Sequence, residues 1–189
     1  RTIARLAARH TGENGVVEFG LSNNERSGTT ADWEPAFRIA RQAGLPGVPH
    51  GGELLGPRHV RQVVEHLQPA RLGHGVRAAE DPRLLDDLVA AGVALELCPT
   101  SNVHLGVYQH QSDVPLRPLV DAGATVALGA DDPLLFLSRL TAQYQLARDE
   151  LGFSDDELAE LARSSISASL ASESDKATWL AEVDAWLAE

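Results

Sequence analysis

The sequence has few cysteine and basic residues, and each shortage excludes a class of protein. Cys98 is the one cysteine in 189 residues, so a disulfide framework and a cysteine-rich metal site are both excluded. Lysine and arginine number 16 against 27 acidic residues, and the net charge of −11 argues against a nucleic-acid partner. No apolar run approaches the roughly 18 residues needed to cross a bilayer. We therefore expect a cytoplasmic protein that binds neither nucleic acid nor membrane.

Methionine is absent altogether, and the chain opens directly on a helix-like stretch, RTIARLAARH. We therefore expect the chain to be a piece of a longer translation product. Apolar residues make up 43% of it, which is typical of a folded domain with a substantial core.

Five short apolar runs, rich in valine and leucine, predict the strands of an α/β fold. Most of them lack the alternation of a half-exposed strand, which favours parallel strands buried on both faces. They lie at residues 15–22, 45–52, 70–76, 92–101 and 124–132.

Helical patterns with ordinary start signals separate the predicted strands. Pro57, Pro82 and Pro133 each stand at the first position of a helix-like segment, where proline is favoured. The spacing of the apolar runs is that of a βα unit repeated without interruption. A doubly wound sheet and an eight-stranded barrel are both compatible with it, although five units cannot close such a barrel alone. The alternation ends at Gly152, so we predict one domain over 1–189, with βα units over 1–152 and extra helices over 153–189.

Polar and ionisable residues follow four of the predicted strands. Because the carboxyl ends of parallel strands open on one face, where catalytic groups gather, we expect these side chains to form one site. They are His50 and Glu53 in HGGE, His74 in RLGHG, Asn102 after LELCPTS, and Asp131 and Asp132 in LGADDP.

Each of these residues also has a structural interpretation, as a polar loop, a loop histidine or a helix cap. Two adjacent carboxylates repel each other, however, and a bound cation or ligand would offset that repulsion. Histidine and aspartate are suitable ligands for zinc, a glutamate beside them suits a proton shuttle, and a metal lowers the pKa of bound water. The residues alone therefore predict metal-assisted hydrolysis and leave the substrate open.

The same stretches resemble the adenosine deaminase family, a metal-dependent branch of the amidohydrolase-type barrels. HGGE resembles the family's His-Ala-Gly-Glu motif and RLGHG its Arg-Ile-Gly-His-Gly stretch, while LELCPTSN and VALGADDPLLF follow in the family's order. The agreement runs from about Val16 to Leu151. The resemblance implies the C-terminal portion of a (β/α)₈ TIM-type barrel, its last five βα units, with extra C-terminal helices.

The resemblance also implies an activity, the zinc-dependent hydrolytic removal of the 6-amino group of an aminopurine nucleoside, with adenosine as the default substrate. It places zinc ligands at His50 and Asp131. Glu53 would protonate the ring nitrogen next to the attacked carbon. His74 and Asp131 would position and deprotonate the zinc water, and His74 would stabilise the oxyanion. Asp132 would hydrogen-bond the five-membered ring of the purine.

Two departures from the family's pattern bear on activity and substrate. The paired zinc histidines of the family's first strand have no counterpart here, so His50 and Asp131 are one or two ligands short of a usual catalytic zinc site. Asn23, in GLSNNERSG, occupies the position of a glycine whose backbone contacts the purine, and its side chain would crowd the ring face or the ribose. Glu25, in the same stretch, matches an acid of the family with a supporting role.

Several alternatives stay open beside the nucleoside deaminase. Adenine and aminofutalosine-type nucleosides are alternative substrates. The chain is alternatively an inactive barrel fragment that self-associates or pairs with the missing half through open sheet edges. A non-purine amidohydrolase is disfavoured by Glu53 occurring together with the DDP stretch. A zinc deaminase of the cytidine type is excluded, since it needs several cysteines.

Overall fold

Five short strands alternate with helices along residues 1–12, 15–22 and 24–188, the part of the chain that the computed structural model describes. Each strand lies inside one of the predicted apolar runs, so the predicted α/β class is confirmed. The strands are β1 Phe19–Leu21, β2 Gly47–Gly51, β3 Arg71–His74, β4 Ala94–Leu97 and β5 Val126–Leu128. The helices are α1 Thr2–Arg9, α2 Thr30–Gln42, α3 Pro57–Leu67, α4 Pro82–Ala90, α5 Pro99–His104, α6 Leu116–Asp121, α7 Leu140–Asp149, α8 Asp155–Ala168 and α9 Glu173–Leu187, with 3₁₀ turns at Val76–Glu80 and Gln111–Asp113.

The strands form one sheet in chain order, β1-β2-β3-β4-β5. β1 pairs in parallel with β2, and β2 pairs in parallel with β3. In the second pairing His50 lies opposite Gly73, and Gly51 lies opposite His74. This register brings the carboxyl ends of β2 and β3 side by side, as expected for parallel strands.

The chain divides into two compact units, Arg1–Leu95 and Glu96–Glu189. The core of the first unit contains Phe37 of α2 with Val63 and Leu67 of α3, each at most 2% exposed. The rings of Phe19 and Phe37 meet edge to face with centroids 5.1 Å apart, a favoured aromatic geometry. The core of the second unit is formed by leucines of β4, α6 and β5, which are Leu97, Leu116, Leu119 and Leu128.

Local signals fix two helix starts where the sequence predicts them. α3 begins at Pro57 and α4 at Pro82. The Asp81 carboxylate accepts hydrogen bonds from the amides of Arg83 and Leu84 at 3.1 and 3.2 Å, so it satisfies two amides that have no partner within the helix.

The predicted helix start at Pro133 is wrong, because α7 begins only at Leu140. A capped turn does form there: Asp132 Oδ1 accepts the amides of Leu134 and Leu135 at 3.1 and 3.0 Å. Leu137, however, has a φ of 50°, a left-handed conformation that interrupts a right-handed helix. The turn therefore ends before a second turn of helix can follow it.

The extra helices predicted over 153–189 are α8 and α9. α8 begins with a capping box in which Glu157 N donates to Ser154 Oγ at 3.3 Å and Ser154 N donates to Glu157 Oε2 at 2.8 Å. α9 has no buried residue over Glu173–Leu187. Within the described ranges, every helix is too short or too polar to cross a bilayer.

Candidate active site

Three side chains predicted from two motifs, HGGE and RLGHG, meet at the ends of β2 and β3 in the first unit. His50 lies on β2, His74 is the last residue of β3, and Glu53 follows β2 by two residues. The imidazole rings of His50 and His74 stand edge to face with centroids 4.5 Å apart. His74 Nε2 lies 3.6 Å from Glu53 Oε2, and these two side chains are 4% and 6% exposed. We call these three residues the His50 cluster.

The His50 cluster has the donor set of a metal site. One ligand atom from each of its three residues lies within 4.8 Å of the others. Imidazole nitrogens and a carboxylate oxygen are ligands that zinc accepts, so the residues fit the metal that the family motif implies. This spacing allows two arrangements. In one, all three residues bind one ion; in the other, one residue binds the ion and the other two act as acid and base. The metal content of variants distinguishes the two.

Gly52 shows why the HGGE motif needs a glycine between the histidine and the glutamate. Its φ is 79°, and a Cβ at this position would lie 2.6 Å from Val60 Cγ2 of α3. Only glycine adopts this conformation without strain and leaves that space empty. The side chain that comes close to Gly52 is therefore that of Val60 in the protein's own core.

Gly73 of β3 lies against the imidazole ring of His50, and a substitution can test this contact. A Cβ on Gly73 would lie 2.6 Å from His50 Cδ2 and 3.4 Å from His50 Cα. Gly73→Ala is therefore expected to displace the imidazole, to lower metal content and kcat, and to reduce the free energy of unfolding by about 1–3 kcal/mol, as overpacking does. Metal analysis, steady-state kinetics and urea unfolding measure the three effects.

Gly56→Ala is the matched control for this variant. A Cβ on Gly56 would meet nothing closer than 3.5 Å, which is ordinary van der Waals contact. We expect this variant to keep its metal and its activity. Normal metal content and normal kcat in Gly73→Ala would contradict the steric connection.

Glu25 holds the loop that carries Glu53. Its carboxylate accepts hydrogen bonds from the backbone amides of Glu53, Leu54 and Leu55 at 3.0, 2.9 and 2.8 Å. The Glu25 side chain is 1% exposed, and His59 Nδ1 lies 3.7 Å from its Oε2. Arg77 Nη1 also donates to the carbonyl of Leu54 at 3.0 Å. The loop is therefore held by two charged side chains.

A cavity of about 300 Å³ lies beside the His50 cluster in the first unit. Its wall includes His50, Glu25, His59 and the indole of Trp33 at the start of α2. The cavity therefore combines polar groups with one large flat apolar surface, a mixture typical of small-molecule sites.

The DDP stretch lies in the second unit. Asp131 has a φ of 56°, and Ser101 Oγ donates to its Oδ2 at 2.6 Å, which orients the carboxylate. Asp132 Oδ1 caps the turn that follows, so this residue has the capping role that was its structural interpretation. Asn102 belongs to α5 and is fully buried in the second unit.

A buried polar network supports the segment that carries Ser101. Gln143 of α7 is fully buried, and its Oε1 accepts the amide of Thr100 at 3.2 Å. Its Nε2 donates to Thr100 Oγ1 at 2.8 Å and to Ser138 Oγ at 2.6 Å. A satisfied buried network of this kind rigidifies what it connects. The sequence analysis did not predict the contacts of Ser101 and Gln143. The one signal for them was the pair of hydroxyl residues, Thr100 and Ser101, after β4.

Asn23, for which the sequence predicts a substrate contact, lies outside the described residues. The segments on either side are described, and Ser22 and Asn24 both line the 300 Å³ cavity. The predicted contact stays a prediction.

Comparisons with known proteins identify relatives along nearly the whole chain. The adenosine deaminase family model matches residues 1–186. A Streptomyces coelicolor protein described as a putative adenosine/adenine deaminase is 59% identical over 99% of the chain, and an adenine deaminase of Agrobacterium fabrum is 40% identical over 89%. The crystal structure of an adenine deaminase from Arthrobacter aurescens superposes on the whole chain with a TM-score of 0.92 and 31% identity.

The chain spans about half the length of the relatives that it matches. It covers 54% of the Streptomyces protein, 52% of the Agrobacterium protein and 57% of the Arthrobacter chain. These matches confirm the predicted fold class, an α/β chain corresponding to part of a (β/α)₈ barrel.

Proposed function

The chain belongs to the adenosine deaminase family, and from this premise we propose that its protein hydrolyses the 6-amino group of an aminopurine. Water is the second substrate, and the products are the 6-oxopurine and ammonia. The observation that carries the proposal is the His50 cluster, in which a buried acid lies beside two imidazoles at the ends of adjacent strands. Buried ionisable groups held together in this way are typical of functional sites.

Glu53 is the proposed general acid. Its side chain is 6% exposed, so solvent water has little access to its carboxyl group. A protonated Glu53 donates its hydrogen to the ring nitrogen next to the carbon that bears the amino group. Proton transfer to that nitrogen draws electron density from the adjacent carbon and makes it more open to attack by water, and the addition of water then breaks the aromaticity of the ring.

His74 is the proposed partner for the attacking water. Its Nε2 faces Glu53 across 3.6 Å, so its imidazole can accept the proton of water and then donate a hydrogen bond to the oxygen as negative charge develops there. A zinc ion bound by His50 would lower the pKa of that water towards neutrality. His50 is the ligand proposed from this unit because the HGGE motif implies it, and its ring stands edge to face against that of His74.

Asp131 and Asp132 keep the roles that their motif implies, as a zinc ligand that also helps deprotonate the water and as a contact of the purine. Ser101 Oγ donates to Asp131 Oδ2, which would orient this carboxylate towards an ion. The turn amides bind Asp132 Oδ1, so we assign the hydrogen bond with the five-membered ring to Oδ2. Asn23 is the further proposed substrate contact.

Adenosine is the substrate that the motifs favour, and adenine is the second candidate. Adenine is favoured by the names of the relatives, since the Agrobacterium and Arthrobacter proteins are both called adenine deaminases. A cytoplasmic location belongs to the same proposal and is supported by the single cysteine, which is buried and free.

Ammonia release by the protein expressed from its complete reading frame tests the proposal. We expect conversion of adenosine to inosine, or of adenine to hypoxanthine, with one ammonia released for each purine. The ratio of kcat/KM for the two substrates decides between nucleoside and base. Cytidine is the negative control. The proposal is wrong if zinc-loaded protein releases ammonia from neither purine.

A further inference from the structure

We propose that Glu25 is a positioning residue for Glu53. It holds the backbone that carries the general acid and does not touch the substrate's reacting atoms. The inference rests on the proposed function. It gives Glu25, a buried carboxylate in the loop after β1, a part in the reaction of Glu53.

The hydrogen bonds of Glu25 are concentrated on one segment. Its two oxygens accept three consecutive amides, those of Glu53, Leu54 and Leu55, at 2.8 to 3.0 Å. These lengths are typical of charge-assisted hydrogen bonds, which are stronger than neutral ones. Three bonds to three consecutive residues fix the position and the direction of the backbone at Glu53.

A carboxylate is well suited to this task, and an amide side chain is not. A carboxylate offers lone pairs on both oxygens, so it accepts all three amide hydrogens at once. A glutamine at position 25 has one accepting oxygen, and its NH₂ group would face at least one backbone N–H. The substitution therefore removes one or two of the three bonds while it keeps the size of the side chain.

The position of Glu25 connects two parts of the first unit that are distant in sequence. It lies 28 residues before Glu53, in the loop after β1, and it lines the cavity beside His50. Half-buried His59 of α3 stands 3.7 Å from Glu25 Oε2. The loop that carries the acid is thus attached to the loop after β1 as well as to its own strand.

The experiment compares Glu25→Gln with Glu34→Gln in the protein expressed from its complete reading frame. Glu34 is the matched control because its side chain, 41% exposed, contacts His66 on the surface of the same unit. We expect Glu25→Gln to lower kcat roughly 10- to 100-fold, the effect of misplacing a catalytic group by about 1 Å. KM and metal content are expected to stay close to those of Glu34→Gln, while the thermal midpoint falls, because buried amides lose their acceptor. Glu25→Asp, which keeps the charge but has a shorter reach, is expected to give an intermediate kcat.

A second readout does not depend on turnover. Hydrogen exchange at the amides of Glu53, Leu54 and Leu55 is expected to be faster in Glu25→Gln than in Glu34→Gln, because these amides lose their acceptor. Unchanged exchange would overturn the inference, and so would an unchanged kcat. A loss of metal together with kcat would also overturn it, since that pattern belongs to a residue that supports the whole site and not the acid alone.

The failure of the inference is distinguishable from the failure of the proposed function. If the wild-type protein deaminates no purine, the proposed function fails, and Glu25 then remains a tether of the loop if exchange is faster in Glu25→Gln. If the wild-type protein is active and Glu25→Gln is as active as Glu34→Gln, only the positioning role fails.

Discussion

Glu53→Gln is expected to lower kcat by roughly 10²- to 10⁴-fold, the usual contribution of a general acid, and to leave metal content unchanged. Glutamine has almost the same shape as glutamic acid but cannot transfer a proton to the purine ring. Glu53 is 5% exposed, so solvent water has little access to take over the transfer. Steady-state kinetics with adenosine and adenine measure the loss, and plasma mass spectrometry measures the metal.

Glu65→Gln is the control for this substitution. Glu65 is exposed on α3, so the control makes the same chemical change outside the site. Full activity of Glu53→Gln on both purines would remove Glu53 from the reaction. Loss of metal in Glu53→Gln would instead make Glu53 a ligand, which is the other arrangement that the 4.8 Å spacing of the His50 cluster allows.

His50→Ala is expected to abolish both metal binding and turnover. A usual catalytic zinc site has about three protein ligands, and removal of one leaves too few to retain the ion through gel filtration. In the protein expressed from its complete reading frame we expect about one zinc per chain for the wild type and almost none for the variant. His10→Ala is the control, since His10 is exposed after α1 and distant in sequence from the motifs.

The zinc content of the wild type and of the two variants tests the role of His50. Zinc in the wild type and in His10→Ala, with none in His50→Ala, assigns His50 as a ligand. Equal zinc in all three proteins contradicts this role. A wild type without metal would mean that the His50 cluster does not retain zinc by itself, and the proposed zinc-dependent reaction would fail for the protein tested.

The fold could be predicted from the sequence where local signals decide it. The first residues of α3 and α4 follow from Pro57, Pro82 and the Asp81 cap, because proline presets a helical φ and the Asp81 carboxylate accepts amides of the first turn. The start of α7 could not be predicted in this way. Pro133 and Asp132 begin a turn, but the left-handed conformation of Leu137 depends on the packing around it and leaves no local signal.

The site could be predicted in part for the same reason. His50, Glu53 and His74 follow neighbouring parallel strands, so strand order alone brings them together. The three-amide contact of Glu25 and the support of Ser101 and Gln143 join segments 28 to 43 residues apart. Such contacts require the exact course of several loops, which a single sequence does not specify.

His74 has a backbone φ of 66°, and this limits which residues can replace it during evolution. Among the twenty residues, glycine, asparagine and aspartate adopt that conformation most readily. A lineage that loses the imidazole but keeps the fold is therefore expected to carry one of these three at position 74. In distant descendants, such a residue at the end of β3 would identify a barrel that has kept its fold and lost its catalytic activity.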